Sequence, residues 1–212
     1  MSSTGAGSKR KGNAYERKTA KALTDWWGYT FNRTPGSGGL HWDDMRVAGD
    51  IVAPIDAEFP FVVECKHRET GSWTIENVFL NNGDIKYWWQ QCVEDSRRID
   101  LVPILMFTRN RSKDFVMTPY HKETFYKVRA TGEPIIRTTV SYTNRMTNIT
   151  ETFDTLVYTL EGLTSLDPEW VKKTYTQWDW QAGSLIESTR EERTKEKISE
   201  DLSDILGKLK NV

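Results

Sequence analysis

From Phe59 to Lys66 the chain reads Phe-Pro-Phe-Val-Val-Glu-Cys-Lys, an apolar, β-branched run that carries a carboxylate and an ammonium two residues apart. A strand alternates its side chains, so Val62, Glu64 and Lys66 share one face and Phe61, Val63 and Cys65 the other, with the two charged groups about 6.6 Å apart along the chain. One face must be core. The other has an ordinary reading, the solvated side of an antiparallel strand. The preceding stretch Gly49-Asp50-Ile51-Val52-Ala53-Pro54 reads as a short strand ended by Pro54, and the brief connection between the two predicts a hairpin.

That hairpin sets Asp50 beside Glu64, because neighbouring strands lie about 4.8 Å apart. Two carboxylates at that separation repel by about 3.5 kcal/mol at an effective dielectric of about 20. A divalent cation held by oxygen ligands offsets such repulsion, and Lys66 adds a further positive charge on the same face. A third acid, Glu16, falls on a helix predicted from Asn13 to Trp27 and shares a stripe with Ala20, Leu23 and Trp27. Asn13 as N-cap with Glu16 in a capping box is an alternative account of that glutamate, and the two can coexist.

Gly28 stops the first helix; residues 29–33 are β-prone, and residues 34–39, Thr-Pro-Gly-Ser-Gly-Gly, form a loop. Residues 83–99 place Ile85, Trp88, Trp89, Cys92 and Val93 at helical spacing, so both tryptophans are expected in the core. Residues 101–110 and 114–120 read as buried strands, which makes the order α-β-β-β-α-β-β. Beyond them, residues 133–144 and 149–160 look like strands, and 167–175 like a short helix capped by Asp167. Residues 188–212 open with Ser188-x-x-Glu191 and carry Ile198, Leu202, Ile205, Leu206 and Leu209 along one face, an amphipathic helix. The expected organisation is a basic flexible tail over residues 1–12, a main domain over 13–180 with its core in 13–120, and the terminal helix.

With 212 residues, 37% hydrophobic and 28% charged, one sizeable core is expected and no apolar run is long enough for a membrane span. The N-terminus lacks an apolar h-region, so a cytoplasmic location is expected, in a host's cytoplasm if the chain is phage-encoded. Cys65 and Cys92 read as small core residues, and neither they nor His41, His67 and His121 have zinc-site spacing. A formal net charge of −1 hides basic clusters at Lys9-Arg10-Lys11, Lys66-His67-Arg68 and Arg109–Lys113. Converging in space, they could track a phosphate backbone.

Gly49-Asp50 followed by Glu64-Cys65-Lys66 resembles the PD-(D/E)XK nuclease signature, whose restriction-endonuclease-like α/β core has the order α-β-β-β-α-β and a mixed sheet flanked by helices. Gly12-Asn13-Ala14-Tyr15-Glu16-Arg17, followed by Arg33-Thr34-Pro35-Gly36-Ser37-Gly38, is similar to the archaeal-type Holliday junction resolvases. The resemblance covers about residues 9–118. Gly49 stands where the signature has proline, residues 40–48 lengthen the active loop with Asp43 and Asp44 as competing ligands, and residues past about 120 have no counterpart in minimal resolvases. It implies Mg²⁺, with Mn²⁺ able to substitute, on Glu16, Asp50, Glu64 and the Cys65 carbonyl. Lys66 would orient the attacking water, and Arg33 and Ser37 would contact the phosphate. Lys9, Arg10, Lys11, Arg17, Arg33, Ser37, His67, Arg68, Arg109, Arg111 and Lys113 are the expected DNA contacts, with Trp42 a stacking candidate. A homodimeric endonuclease making paired nicks in branched double-stranded DNA, with no small-molecule cofactor, completes the expectation; the alternatives are a nuclease of the same fold on linear duplex or flap DNA and, of another class, a non-catalytic DNA-binding or assembly protein.

Overall fold

The computed structural model describes residues 4–34, 48–69, 73–144, 147–182 and 184–188. Ser37, His41, Trp42, Asp43, Asp44 and residues 189–212, which hold most of the expected terminal helix, lie outside the described residues. Ser188 is the last residue of a strand, Leu185–Ser188.

The elements in chain order are α1 (Thr4–Trp27), β1 (Asn32–Arg33), β2 (Ile51–Val52), β3 (Phe61–Arg68), α2 (Ile75–Phe79), α3 (Ile85–Ile99), β4 (Val102–Arg109), β5 (Phe115–Pro119), α4 (Lys122–Ala130), β6 (Ile135–Thr143), β7 (Thr150–Thr159), α5 (Leu160–Thr164), α6 (Pro168–Tyr175) and β8 (Leu185–Ser188). The expected α-β-β-β-α-β-β order is present, interrupted by α2. Three short helices, α2, α4 and α5, escape a reading by periodicity because five to nine residues span too few turns to display a stripe.

The basic N-terminal residues are not a flexible tail. Helix α1 begins at Thr4, so Lys9, Arg10 and Lys11 lie in its second turn and Asn13 is interior, not an N-cap. Nothing in residues 4–12 breaks a helix except Gly5, Gly7 and Gly12, each of which costs only about 1 kcal/mol.

One mixed sheet runs β1-β2-β3-β4-β5-β7-β6, with β8 paired to β7. β2 is antiparallel to β3, while β3 and β4 are parallel from Phe61↔Val102 to Arg68↔Arg109, joined by the crossover that contains α2 and α3. A parallel pair with helices in its crossover is covered on both faces. Here α1 packs over Phe61, Val63 and Cys65, and α3 over Val62 and Glu64, so the whole of Phe61–Cys65 is buried. The solvated-face reading of Glu64 is thereby overturned.

Residues after Tyr120 extend the same sheet. β5 pairs with the second half of β7, β8 occupies the same side along its first half, and β6 runs the length of the other side. The join is apolar: Phe59 stacks edge-on against Trp27, Phe31 and Phe61 at 4.8–5.4 Å, and Phe61 continues to Tyr175 on α6 at 4.9 Å. Trp88 and Trp89 are buried as expected, and Cys65 and Cys92 are buried free thiols. Among the described residues no helix is long and apolar enough to cross a membrane.

Candidate active site

Asp50 is held at the mouth of β2 by two backbone hydrogen bonds of its own and one side-chain bond to the residue before it. Its N–H donates to the Val63 carbonyl at 2.7 Å, its carbonyl accepts from Thr34 N at 2.9 Å, and the Thr34 hydroxyl donates to the Gly49 carbonyl at 2.8 Å. Gly49 explains why glycine replaces proline here. Its φ is +75°, and a Cβ at that position would lie 2.4 Å from the Val63 carbonyl oxygen. Proline is confined to φ near −65° and cannot adopt this conformation.

The Asp50 carboxylate accepts from the Cys65 N–H at 2.9 Å, which brings it to the edge of β3 beside Glu64. The Cys65 N–H and C=O project to the same strand edge, so its carbonyl faces the side from which Asp50 approaches. Glu64 is 1% exposed. Burial first, then the Asp50 charge, push its carboxyl up to about 8, against the pull of Lys66. Burial also raises Asp50, with the Glu16 charge adding to it and the Cys65 N–H and Lys66 opposing. The Lys66 ammonium hydrogen-bonds Glu64 and donates to Gln91 Oε1 at 2.9 Å.

Glu16 is handled differently. Its carboxylate pairs with Arg33, whose second arm donates to Asn13 Oδ1 at 3.0 Å. Among the described residues no cluster of three or more His, Cys, Asp or Glu side chains is arranged to hold a metal ion. Of the three expected acids, Asp50 and Glu64 stand together, and Glu16, near enough to influence Asp50, is engaged by Arg33 in this structure.

A buried and a half-buried carboxylate compensated by a single ammonium, both pushed toward the protonated form, favour an added cation. Hard oxygen donors, two carboxylates and a backbone carbonyl, suit Mg²⁺ or Mn²⁺. Asp50, Glu64 and the Cys65 carbonyl thus fit such an ion; the Cys65 thiol, buried and raised by burial, faces α1 and does not.

The basic residues gather in part. Arg68 and Arg109 are register partners at the ends of β3 and β4, and Lys11 on α1 pairs with Glu69, which also accepts from Asn110 at 2.7 Å. His67 lies against Tyr15, ring centroids 5.9 Å apart. The Arg68 guanidinium covers Trp88 at 5.0 Å and that of Arg109 covers Trp73 at 5.7 Å. Arg10 and Arg17 are exposed on α1, and Arg111 is exposed in the turn after β4. Lys113 is farther along, paired with Glu161 at 3.3 Å. Gln91 was not legible as a site residue. The only signal was a polar side chain flanking Trp88 and Cys92 on the buried stripe of α3.

A sequence model of the family described as "Phage putative PDDEXK endonuclease" matches residues 7–173, from α1 into α6. "Protein D14" of Escherichia phage T5 is 26% identical over 110 residues, 50% of this chain and 67% of that protein. No solved structure matches.

Proposed function

The chain belongs to the phage PD-(D/E)XK endonuclease family, and from that premise we propose that it is a Mg²⁺-dependent endonuclease cutting four-way DNA junctions by paired nicks, as a homodimer. The observation that carries the hydrolytic part is the pairing of half-buried Asp50 with buried Glu64 on one strand edge, with Lys66 beside it. The junction part rests on the resemblance of residues 12–17 and 33–38 to the resolvases.

Asp50, Glu64 and the Cys65 carbonyl would hold the ion, which supplies water activation at neutral pH and neutralisation of phosphoryl charge. Lys66, clamped by Glu64 and Gln91, would present its one remaining N–H donor to the attacking water or to a phosphoryl oxygen. Arg68 and Arg109 at the strand ends, with Arg10, Lys11 and Arg17 on α1, would follow the flanking phosphates. A four-way junction has an approximate two-fold axis, which a symmetric dimer with one site per chain matches.

A second reading, cutting linear duplex or flap DNA, is favoured by one fact. The family match runs to residue 173, through strands β6 and β7 that lie beyond the region of resolvase likeness. Labelled four-way junction, flap and linear duplex incubated in parallel with Mg²⁺ separate the readings. A supercoiled plasmid that extrudes a cruciform adds the pairing of cuts: linear product supports the junction reading, and accumulated nicked circles or a monomer at working concentration defeat it.

A further inference from the structure

We propose that Arg33 is a positioning residue that holds Glu16 off the Asp50–Glu64 site in free protein and releases it when a DNA phosphate takes the guanidinium, so that metal and DNA bind cooperatively. The inference rests on the nuclease reading. Its basis is a contrast among three acids that share one site. Asp50 is fixed by the Cys65 N–H and Glu64 by Lys66, each within the β2–β3 edge. Glu16, on α1, is tied to neither of them.

Arg33 is suited to both partners. A guanidinium binds carboxylate and phosphate through the same planar fork. In this structure one arm of the fork engages Glu16 and the other the Asn13 amide oxygen. The Arg33 side chain is 27% exposed against 11% for Glu16, so an incoming phosphate reaches the arginine before the glutamate. β1 carries Arg33 directly beside β2, and the Thr34 N–H bonds the Asp50 carbonyl, so a phosphate on Arg33 is already at the site's edge. Released, Glu16 would add a third carboxylate, raising the charge and ligand count offered to a divalent ion. Linkage then requires that metal strengthen DNA binding by the factor by which DNA strengthens metal binding.

The test is a double-mutant cycle read by Mn²⁺ titration calorimetry without DNA, on wild type, Arg33→Ala, Glu16→Gln and the double variant. Arg33→Ala is expected to tighten Mn²⁺ binding about tenfold, a mid-range allosteric coupling. In the Glu16→Gln background the same change is expected to do little. A gain that persists without Glu16 would mean that removing any nearby positive charge suffices, and would overturn the lock. So would an unchanged affinity in Arg33→Ala. If that variant fails to fold by circular dichroism, Arg33→Gln serves the same cycle. A phosphorothioate-blocked duplex added to wild type should tighten Mn²⁺ binding, and in Arg33→Ala it should not; equal coupling in both overturns the release. Mn²⁺ binding that is absent from both wild type and Arg33→Ala, or unaffected by Glu64→Gln, defeats the nuclease reading and the lock together; Glu64-dependent binding with a flat cycle defeats the lock alone.

Discussion

β2 meets β3 at a single register position, Ile51↔Val63, whereas β6 and β7 pair along all nine residues of β6, from Ile135↔Tyr158 to Thr143↔Thr150. The two ends of one sheet also treat charge differently. Around β3, buried Glu64 and half-buried Asp50 lie near each other with one ammonium, on Glu64, to compensate them, an arrangement that raises both carboxyls. Around β7 opposite charges and hydroxyls meet: Glu151 accepts from both arms of Arg97 at 2.7 and 3.2 Å, and Ser141–Thr152 and Thr143–Thr150 hydroxyls pair across the ladder at 2.8 and 2.7 Å. A long ladder with such pairs stabilises the fold, and that surplus allows the other end to retain mutually repelling acids. Unfavourable electrostatics concentrated where pairing is shortest mark the functional end.

The largest expected effect is on activity at β3. Glu64→Gln should lower cleavage on the order of 10³-fold, the upper range for losing one preorganised electrostatic group, while leaving DNA binding intact in a gel-shift assay. It should also alter the pH dependence of stability. A carboxyl whose folded pKa is raised from 4.5 to about 8 contributes stability that is complete below pH 4.5 and is lost as pH rises through about 8. Metal-free wild type should therefore melt lower at pH 9 than at pH 6 by more than Glu64→Gln does. A full-rate mutant, or identical pH profiles, would break the contrast between the two ends.

Next comes a core truncation on the other end. Phe153 is fully buried beneath Trp89, Tyr142 and Trp180. Phe153→Ala should cost about 3–5 kcal/mol in denaturant unfolding, with cleavage per folded molecule unchanged. Reduced specific activity in fully folded mutant would show that the two ends are not separable.

A smaller loss follows from Gly49→Ala, about 2 kcal/mol for a left-handed residue with a backbone clash, and here activity should fall with stability because Asp50 shifts. The smallest effect is Arg137→Ala. Its fork on Asp154 is half exposed, so the change should stay below about 1 kcal/mol by thermal melting, with cleavage untouched.

Much of this architecture could be read from residue order. Asp50 and Glu64 were placed together by strand alternation and a hairpin, both local rules, and the stripe from Ile85 to Val93 marked α3 with its buried tryptophans. Asp167 capping α6 through the Trp170 N–H at 2.7 Å was equally local. The start of α1 was not legible, since three glycines and a basic run look like a tail until the helix packs on β3.

What the sequence alone determined is therefore the set of acids, the lysine and the order of elements, because side-chain periodicity and turn chemistry act over a few residues. Only the tertiary structure decided that neither face of β3 is wet along Phe61–Cys65, since that depends on α3 arriving from 20 or more residues downstream to cover Glu64. It also decided that Gln91 clamps Lys66 and that Arg33, not a metal-site neighbour, holds Glu16. Those pairings join separate elements, and no local rule brings their side chains within hydrogen-bond reach; the packing of helices on both faces of the sheet does.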